Sequence, residues 1–579
     1  MELEKLDLKN HLIKMGMPIL QEIIGVDELK AISKITNKTI NETMIADLLI
    51  KSNGNEIFSD GLLRGWVIRA LPNNYKSYLE KANKDKSINE ETEKKLIDRA
   101  WNRNYKSHFR LIEIFNLSNA YLPPETQEYD NTEILEPNQK FKEKNIFVKL
   151  LDKFIFFIKS LFNKLEEEKY GLQDFQIRIK KQLLDSIFSK KSKIIVHMPT
   201  GSGKTKTVLS SLVDLNLKNK FFSNNFLIWI AHSDELCDQA KNTFKDLWSH
   251  FGDQELPLIR LKDQKIDEIK QLNKGIVICT YAKLHRMRMS EKGLQILEFI
   301  RSKSKFIVAD EAHMVPANTF RESIEFITKL DYSNLIGLTA TPGGYYNEQT
   351  QELADYFDKN KISITDENFK ELEGRDAIKF LQNIGVLSEI KTHQVKTDFN
   401  FEFNELEKEK ILGSFDEGLD TELIKEMEKD VERNICIYGE LQSLYEQNLN
   451  TIVFACSLKH TKLLHKICIL TGMKVGKIDD KTSYQKRREI VNNYKSGEIK
   501  IIFNFGVLST GFDAPGTKAI LIARPTTSPI LYSQMIGRGL RGPIFNGNKE
   551  CFLIDIKDNL IGLPDEKDCF SLFNNYYKN

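Results

Sequence analysis

Met198-Pro199-Thr200-Gly201-Ser202-Gly203-Lys204-Thr205 is the stretch on which the fold turns. It follows the β-branched run Ile194-Ile195-Val196 and leads into Val208, Leu209, Leu212 and Val213 at helical spacing. Strand, glycine-rich loop and helix, in that order, aim backbone N–H groups and a helix N-terminus at a phosphate chain. Pro199, Thr200, Gly201, Ser202 and Gly203 would then wrap the phosphates. Lys204 would reach the β- and γ-phosphates, and the Thr205 hydroxyl would ligate Mg²⁺. Met198 stands where such loops usually begin with glycine.

A second segment, Ala309-Asp310-Glu311-Ala312-His313, closes the apolar run Phe306-Ile307-Val308. Asp310 and Glu311 thus emerge at the carboxyl end of an expected parallel strand, the edge where open α/β sheets bind ligands. Asp310 suits the metal, and Glu311 suits orienting or deprotonating a water. Alone, either segment is compatible with an ordinary loop or a solvated turn. Together, in this order and each after an apolar strand, they point to hydrolysis of a nucleoside triphosphate with Mg²⁺.

At 579 residues the chain has room for about three domains, each able to bury a core. Its 41% hydrophobic and 29% charged content excludes wholesale disorder. Lys+Arg 84 against Asp+Glu 82 leaves +2, so any nucleic-acid contact must come from a confined groove and not from a global basic field. The seven cysteines form no CxxC pair and read as buried thiols of a reducing cytoplasm. Met1-Glu2-Leu3-Glu4-Lys5 is not a basic region followed by an apolar stretch, so no secretory leader is expected.

Residues 1–117 read as a helical accessory domain, with apolar positions at mixed spacing of three and four (Leu48, Leu49, Leu62, Leu63, Val67, Ile68). Residues 118–168 read as a linker, marked by Pro123, Pro124 and Pro137, and then an amphipathic helix over 145–168. Charges within that helix exclude a membrane span. Its bulky face (Phe154, Ile155, Phe157, Ile158, Phe162) would suit a membrane interface, but is expected instead to dock on the first of the two sheets that follow. From Tyr170 onward strands alternate with helices in two rounds, each a candidate doubly wound parallel sheet. The first round, over 169–344, has strands near 194–197, 226–230, 276–279, 306–309 and 335–339. The second, over 441–579, has them near 451–454, 473–478, 499–503, 519–522 and 551–555. Residues 345–440 read as a helical bridge with one extended piece at 393–403.

The second round closes with Gln534-Met535-Ile536-Gly537-Arg538-Gly539-Leu540-Arg541, read as opening a helix after the turn at Pro525–Pro529. An arginine brought to a γ-phosphate from another domain stabilises transition-state charge, an effect of about 10³–10⁵ in rate. Arg538 and Arg541 are the candidates. Such an arrangement makes hydrolysis depend on domain closure.

These motifs, in this order over residues 170–555, resemble a superfamily 2 helicase motor of the DEAH-box kind. The spelling Leu508-Ser509-Thr510-Gly511-Phe512-Asp513-Ala514-Pro515 narrows the resemblance to motor subunits of type I and III restriction enzymes and related bacterial repair and defence helicases. The resemblance implies two tandem RecA-like α/β domains, preceded here by the α-helical N-terminal region. It gives Gln176, in Leu172-Gln173-Asp174-Phe175-Gln176, the reading of adenine, and adds Gly511 and Asp513 to the nucleotide site. It places His232, Ser233, Thr280, Tyr281, Ser457 and Thr510 on a nucleic-acid track. Thr339 and Thr341, with His313 and Gln534, would couple the ATP site to that track. Arg487 and Arg488 could add local positive charge.

The expected function is an ATP-dependent helicase or translocase, with DNA favoured over RNA and a protein partner engaged through residues 1–168. The alternative is an ATP-gated switch that senses nucleic acid and recruits an effector without processive unwinding. A protein-translocating ATPase would need an inserted polypeptide-binding domain, for which 345–440 is too short. Glu389-Ile390-Lys391 has the E-x-K spacing of a nuclease but no acidic partner upstream.

Overall fold

Apolar runs become buried strands in two parallel sheets. The computed structural model describes residues 5–54, 57–80, 101, 106–122, 132–136, 171–261, 266–328, 333–343, 347–364, 377–400, 421–480, 482–506, 516–525 and 529–559. The first lobe holds β1 (Thr132–Leu135), β2 (Lys193–His197), β3 (Phe226–Ala231), β4 (Leu256–Arg260), β5 (Gly275–Thr280), β6 (Ser304–Asp310), β7 (Asn334–Thr339) and β8 (Lys361–Ser363), in the order β1-β4-β5-β3-β6-β7-β2-β8. All neighbours are parallel except β1 and β4. Every residue of β3 is buried, as a strand covered by helices on both faces requires.

The second lobe holds β9 (Glu389–Asn400), β10 (Thr451–Phe454), β11 (Val475–Ile478), β12 (Ile501–Asn504), β13 (Ala519–Ile522) and β14 (Glu550–Asn559). Their order is β11-β12-β10-β13-β14-β9, parallel throughout. One apolar cluster runs from Val196 and Leu338 through Leu387 to Ile520, Met535 and Leu540, so the lobes share a core.

Three features depart from the expected organisation. The stretch 345–440 is no separate bridge, because β8 completes the first sheet and β9 the edge of the second. β8 is only three residues long, and β9 is mostly polar and exposed, with Ile390, Val395 and Phe399 its only apolar residues, as suits an edge strand. Lys391 of the E-x-K triplet lies on β9 and pairs with Glu550 at 2.6 Å. The expected linker contains β1, which lies antiparallel on β4 with Glu133 held by Lys241 (3.1 Å) and Lys245. β4 itself is masked in the sequence by Pro257, tolerated because the pairing with β5 begins only at Leu258. The amphipathic segment 145–168 lies outside the described residues.

Helices between Leu8 and Ile114 build a domain with its own core, from Leu12 and Leu20 to Phe58 and Leu111. This domain sits on the second lobe. Ile32 and Ile35 join Ile437, Leu464 and Ile467 in one cluster, flanked by Lys34–Glu432 (2.9 Å) and Lys466–Glu28 (2.7 Å). Among the described residues no helix is long and apolar enough to cross a membrane.

Candidate active site at the lobe interface

β2 ends at His197, and Met198 continues into the core, fully buried, with its N–H donating to the Thr339 carbonyl (3.2 Å). The usual glycine is not needed where the chain still runs with the sheet. The loop then turns on Gly201 (φ +83°) and Gly203 (φ +84°), a left-handed conformation that favours glycine. The Ser202 N–H (3.2 Å) and hydroxyl (2.7 Å) both donate to the Pro199 carbonyl. Gly203 caps the helix Lys204–Asn219 without a side chain, which leaves first-turn N–H groups directed at the loop's concavity. Thr205 stands half-buried on that turn.

Gln176 braces this loop from below. Its Nε2 donates to the Ser202 carbonyl (2.8 Å) and its Oε1 accepts from the Gln173 N–H (2.9 Å), with the side chain fully buried. The resemblance gave this amide to an adenine edge. In the structure both ends of it are engaged within the protein, because the capping box that starts the helix Asp174–Phe188 turns the side chain inward.

Asp310 and Glu311 leave β6 beside the loop. Asp310 is buried, and loss of hydration followed by the neighbouring Glu311 charge pushes its carboxyl up to about 7, while Lys204 draws it down. Glu311 takes a left-handed φ of +55°, rare for a residue with a side chain. Burial lowers the Lys204 ammonium; Glu311 and Asp310 oppose that shift, and the Arg538 charge adds to it. Lys204, both carboxylates and an arginine of the second lobe therefore share one electrostatic environment.

Backbone packing explains how Arg538 arrives. A Cβ on Gly537 would stand 2.7 Å from Cβ of Thr200, so only glycine lets the lobes meet here. Around Gly201, Leu387 and the Arg541 backbone stand 3.5 and 3.8 Å from a Cβ position, and Phe545 stands 3.9 Å from that of Gly203. Leu387 and Phe545 are thus loop neighbours that no sequence motif announced. The arginines do not open a helix, as the sequence suggested; the helix Pro529–Ile536 ends just before them. Gly537 and Gly539 disfavour its continuation and close a tight turn instead, with Gly539 N–H on the Ile536 carbonyl (2.9 Å). Arg541 comes to the loop by its backbone, fastened by the Ser388 hydroxyl on its carbonyl (2.8 Å).

The expected coupling residues meet across the same interface. Gln534 Nε2 lies 3.2 Å from Nε2 of buried His313, whose Nδ1 lies 3.2 Å from the Thr339 hydroxyl. Burial holds His313 below the usual imidazole range, so its neutral ring can accept from Gln534 and donate to Thr339. The Thr339 hydroxyl in turn donates to the Thr341 carbonyl (2.9 Å).

The expected track residues are less uniform. His232 is exposed at the end of β3. Ser233 and Thr280 cap helices, their hydroxyls accepting from Leu236 N–H (3.4 Å) and Lys283 N–H (3.2 Å). Ser457 also caps a helix but gives its hydrogen to buried Glu428, which removes it as a phosphate donor. Tyr281 is fully buried, and its hydroxyl donates to the Asp310 carbonyl (3.0 Å), so it cannot line a surface track. Arg487 is not free charge either: it pairs across the lobes with Glu235 at 2.6 Å, beside a Tyr484–Asp238 hydrogen bond. Thr510, Gly511 and Asp513 lie outside the described residues.

Two parallel-sheet lobes joined at a phosphate-type loop form tandem RecA-like α/β domains. Residues 169–344 match the family described as "Type III restriction enzyme, res subunit", and residues 433–542 match "Helicase conserved C-terminal domain". Each lobe is thus similar in sequence to domains of helicase families. The helicase-designated protein IRC3 of Saccharomyces cerevisiae is 25% identical over 395 residues, 66% of this chain and 51% of IRC3, so the chain spans about half of that relative. The DNA 3'-5' translocase XPB2 of Sulfurisphaera tokodaii is 25% identical over 427 residues, 69% of this chain and 84% of XPB2. Among solved structures, the DUF1998 helicase MrfA bound to DNA is similar at a TM-score of 0.46 and 15% identity, covering 70% of this chain and 48% of MrfA.

Proposed function

We propose that the protein is an ATP-driven DNA helicase or translocase of the DEAH-box kind, with Mg²⁺ as its metal, working in a reducing cytoplasm. The observation that carries this reading is the packing of Gly537, beside Arg538, on Thr200 of the loop, which brings the opposite lobe's arginine into the field of Lys204, Asp310 and Glu311. The residues fit the implied groups: positive-φ glycines, an uncapped helix N-terminus and a half-buried lysine suit phosphates, and a buried carboxylate suits a cation. The backbone of 201–205 and Lys204 would hold the phosphates, and Thr205 with Asp310 would hold Mg²⁺. Bound there, the metal supplies charge neutralisation at the transferring phosphoryl group. Glu311 orients the attacking water or takes its proton, and Arg538 stabilises charge in the transition state. Arg541 seats the second lobe on Gly201, while Gly511 and Asp513 complete its side of the site.

Binding of the nucleic-acid backbone falls to His232, Ser233, Thr280 and Thr510, since the capping hydroxyls of Ser233 and Thr280 keep a hydrogen for a phosphate oxygen. DNA is favoured by the restriction-enzyme family match and by the DNA translocase XPB2. Gln534, His313, Thr339 and Thr341 carry the state of the site between lobes. ATP hydrolysis measured with single-stranded DNA, duplex DNA and RNA in parallel tests the reading: DNA should raise the rate, and a rate that none of them raises would refute it.

The helical domain fixed to the second lobe favours a second reading, an ATP-gated switch that presents residues 1–168 to a protein partner in repair, restriction or antiviral defence. Both readings give stimulated hydrolysis. Strand displacement on a tailed duplex belongs to the first alone.

A further inference from the structure

We infer that Tyr281 is a positioning residue that ties the nucleic-acid face of the first lobe to Glu311. The inference rests on the helicase reading above and deepens it. Tyr281 is the first residue of the helix Tyr281–Arg288, immediately after Thr280 at the end of β5. The sheet order puts β3 between β5 and β6, so reaching Asp310 means crossing two strand spacings, about 9–10 Å. A tyrosine is long and rigid enough to do so, and its hydroxyl donates to the Asp310 carbonyl at 3.0 Å.

That carbonyl belongs to the peptide group joining Asp310 to Glu311. Holding it fixes the peptide plane from which Glu311 departs at φ +55°, a conformation that persists only where its surroundings impose it. On the same helix turn, Thr280 caps the N-terminus through Lys283 N–H (3.2 Å). A phosphate gripped at Thr280 would therefore act on the helix start from which Tyr281 reaches Asp310. The Tyr281 ring itself is held independently, 4.9 Å between centroids from Phe320. Deleting the hydroxyl alone leaves that packing in place.

The test is Tyr281→Phe in the full chain, assayed for ATP hydrolysis at saturating single-stranded DNA, with Phe320→Leu as a packing control. Tyr281→Phe should lower kcat about tenfold while KM for ATP and for DNA stay within about twofold, because only the orientation of Glu311 is loosened. Phe320→Leu should lower the melting temperature and leave kcat within about twofold, since it disturbs packing and spares the hydroxyl. Equal kcat losses in both variants would mean that Tyr281 merely packs, and would overturn the inference. So would a Tyr281→Phe kcat equal to wild type, or a raised KM for DNA with kcat intact. A wild-type rate that no nucleic acid raises would instead overturn the helicase reading on which this one stands.

Discussion

Replacing Gly537 by alanine should stop the motor without unfolding it. The added Cβ would stand 2.7 Å from Cβ of Thr200 and 2.8 Å from its Cγ2, whereas carbon atoms rest at about 3.5–4.0 Å. Relieving the overlap requires the lobes to part by about 1 Å at this point. Arg538 is the next residue, and a displacement of about 1 Å in a reacting group lowers turnover about 10²-fold, or about 2.7 kcal/mol of barrier. Gly537 has no positive φ, so the backbone accepts alanine, and the two overlaps below 3 Å lie between lobes, the nearest atom within its own lobe being the Ser533 carbonyl at 3.1 Å. Its melting temperature should match wild type. Steady-state hydrolysis with DNA reads the effect, and Gly439→Ala is the control. Gly439 lies in the helix Val431–Glu446 with no atom within 4 Å of its Cβ position, so alanine there should keep full turnover and add about 0.5–1 kcal/mol of stability. A Gly537→Ala enzyme turning over within about threefold of wild type would refute the closed-lobe account of catalysis.

Glu311→Gln should bind ATP with Mg²⁺ by calorimetry yet hydrolyse it about 10²-fold more slowly, because an amide cannot take the proton of the water. Arg487→Glu and Glu235→Arg should each lower DNA-stimulated turnover and the exchanged pair should recover it, with a coupling of about 0.5–3 kcal/mol in a double-mutant cycle; additive losses would mean that the 2.6 Å contact does no work. Acid should weaken the second lobe through His460 and His465, whose burial pushes both imidazoles down to about 3. Their native values lie below the unfolded value, so stability is complete above about pH 6.5 and falls as pH falls, by about 1.4 kcal/mol per unit for each ring. Between pH 6.5 and 4.5 the two together remove about 5 kcal/mol. Urea midpoints across that range read the slope, and His465→Leu should halve it.

What the sequence displays is chemistry and period; direction is what it withholds. β2, β3 and β6 were legible because strands covered on both faces must be apolar throughout, and the loop because its glycines sit where φ turns positive. β8 was not, and of β9 the sequence offered an extended piece at 393–403 but not its start or its place in the sheet, since edge strands carry Lys361, Ser363 and Glu389 as readily as any loop does. Tyr281 and Gln176 show the same limit inside the site. A residue that can hydrogen-bond at its tip suits a ligand or the protein's own backbone equally, and only the fold reveals that both point inward. The contact of Gly537 with Thr200 has no local signature at all, because it joins the tip of one lobe to the loop of the other.

The N-terminal region follows from the same geometry. Its helices are fastened to the second lobe through Ile32, Ile35 and two ion pairs, while β1 is fastened to the first lobe through β4 and Glu133. Ten Cα-to-Cα steps separate Leu122, in the helical domain's core, from Thr132 on β1. A chain of ten residues reaches at most about 33–36 Å, so this tether sets an upper bound on how far the lobes can part. Opening beyond it must first strip one of the two anchors. β1 is the weaker, with four paired residues at a sheet edge and Ile134 exposed, whereas the helical anchor buries Ile32 and Ile35 in a shared core. The cleft that holds Lys204 can thus open with its strap intact over a bounded range, and past that range β1 leaves β4 before the helices leave the second lobe.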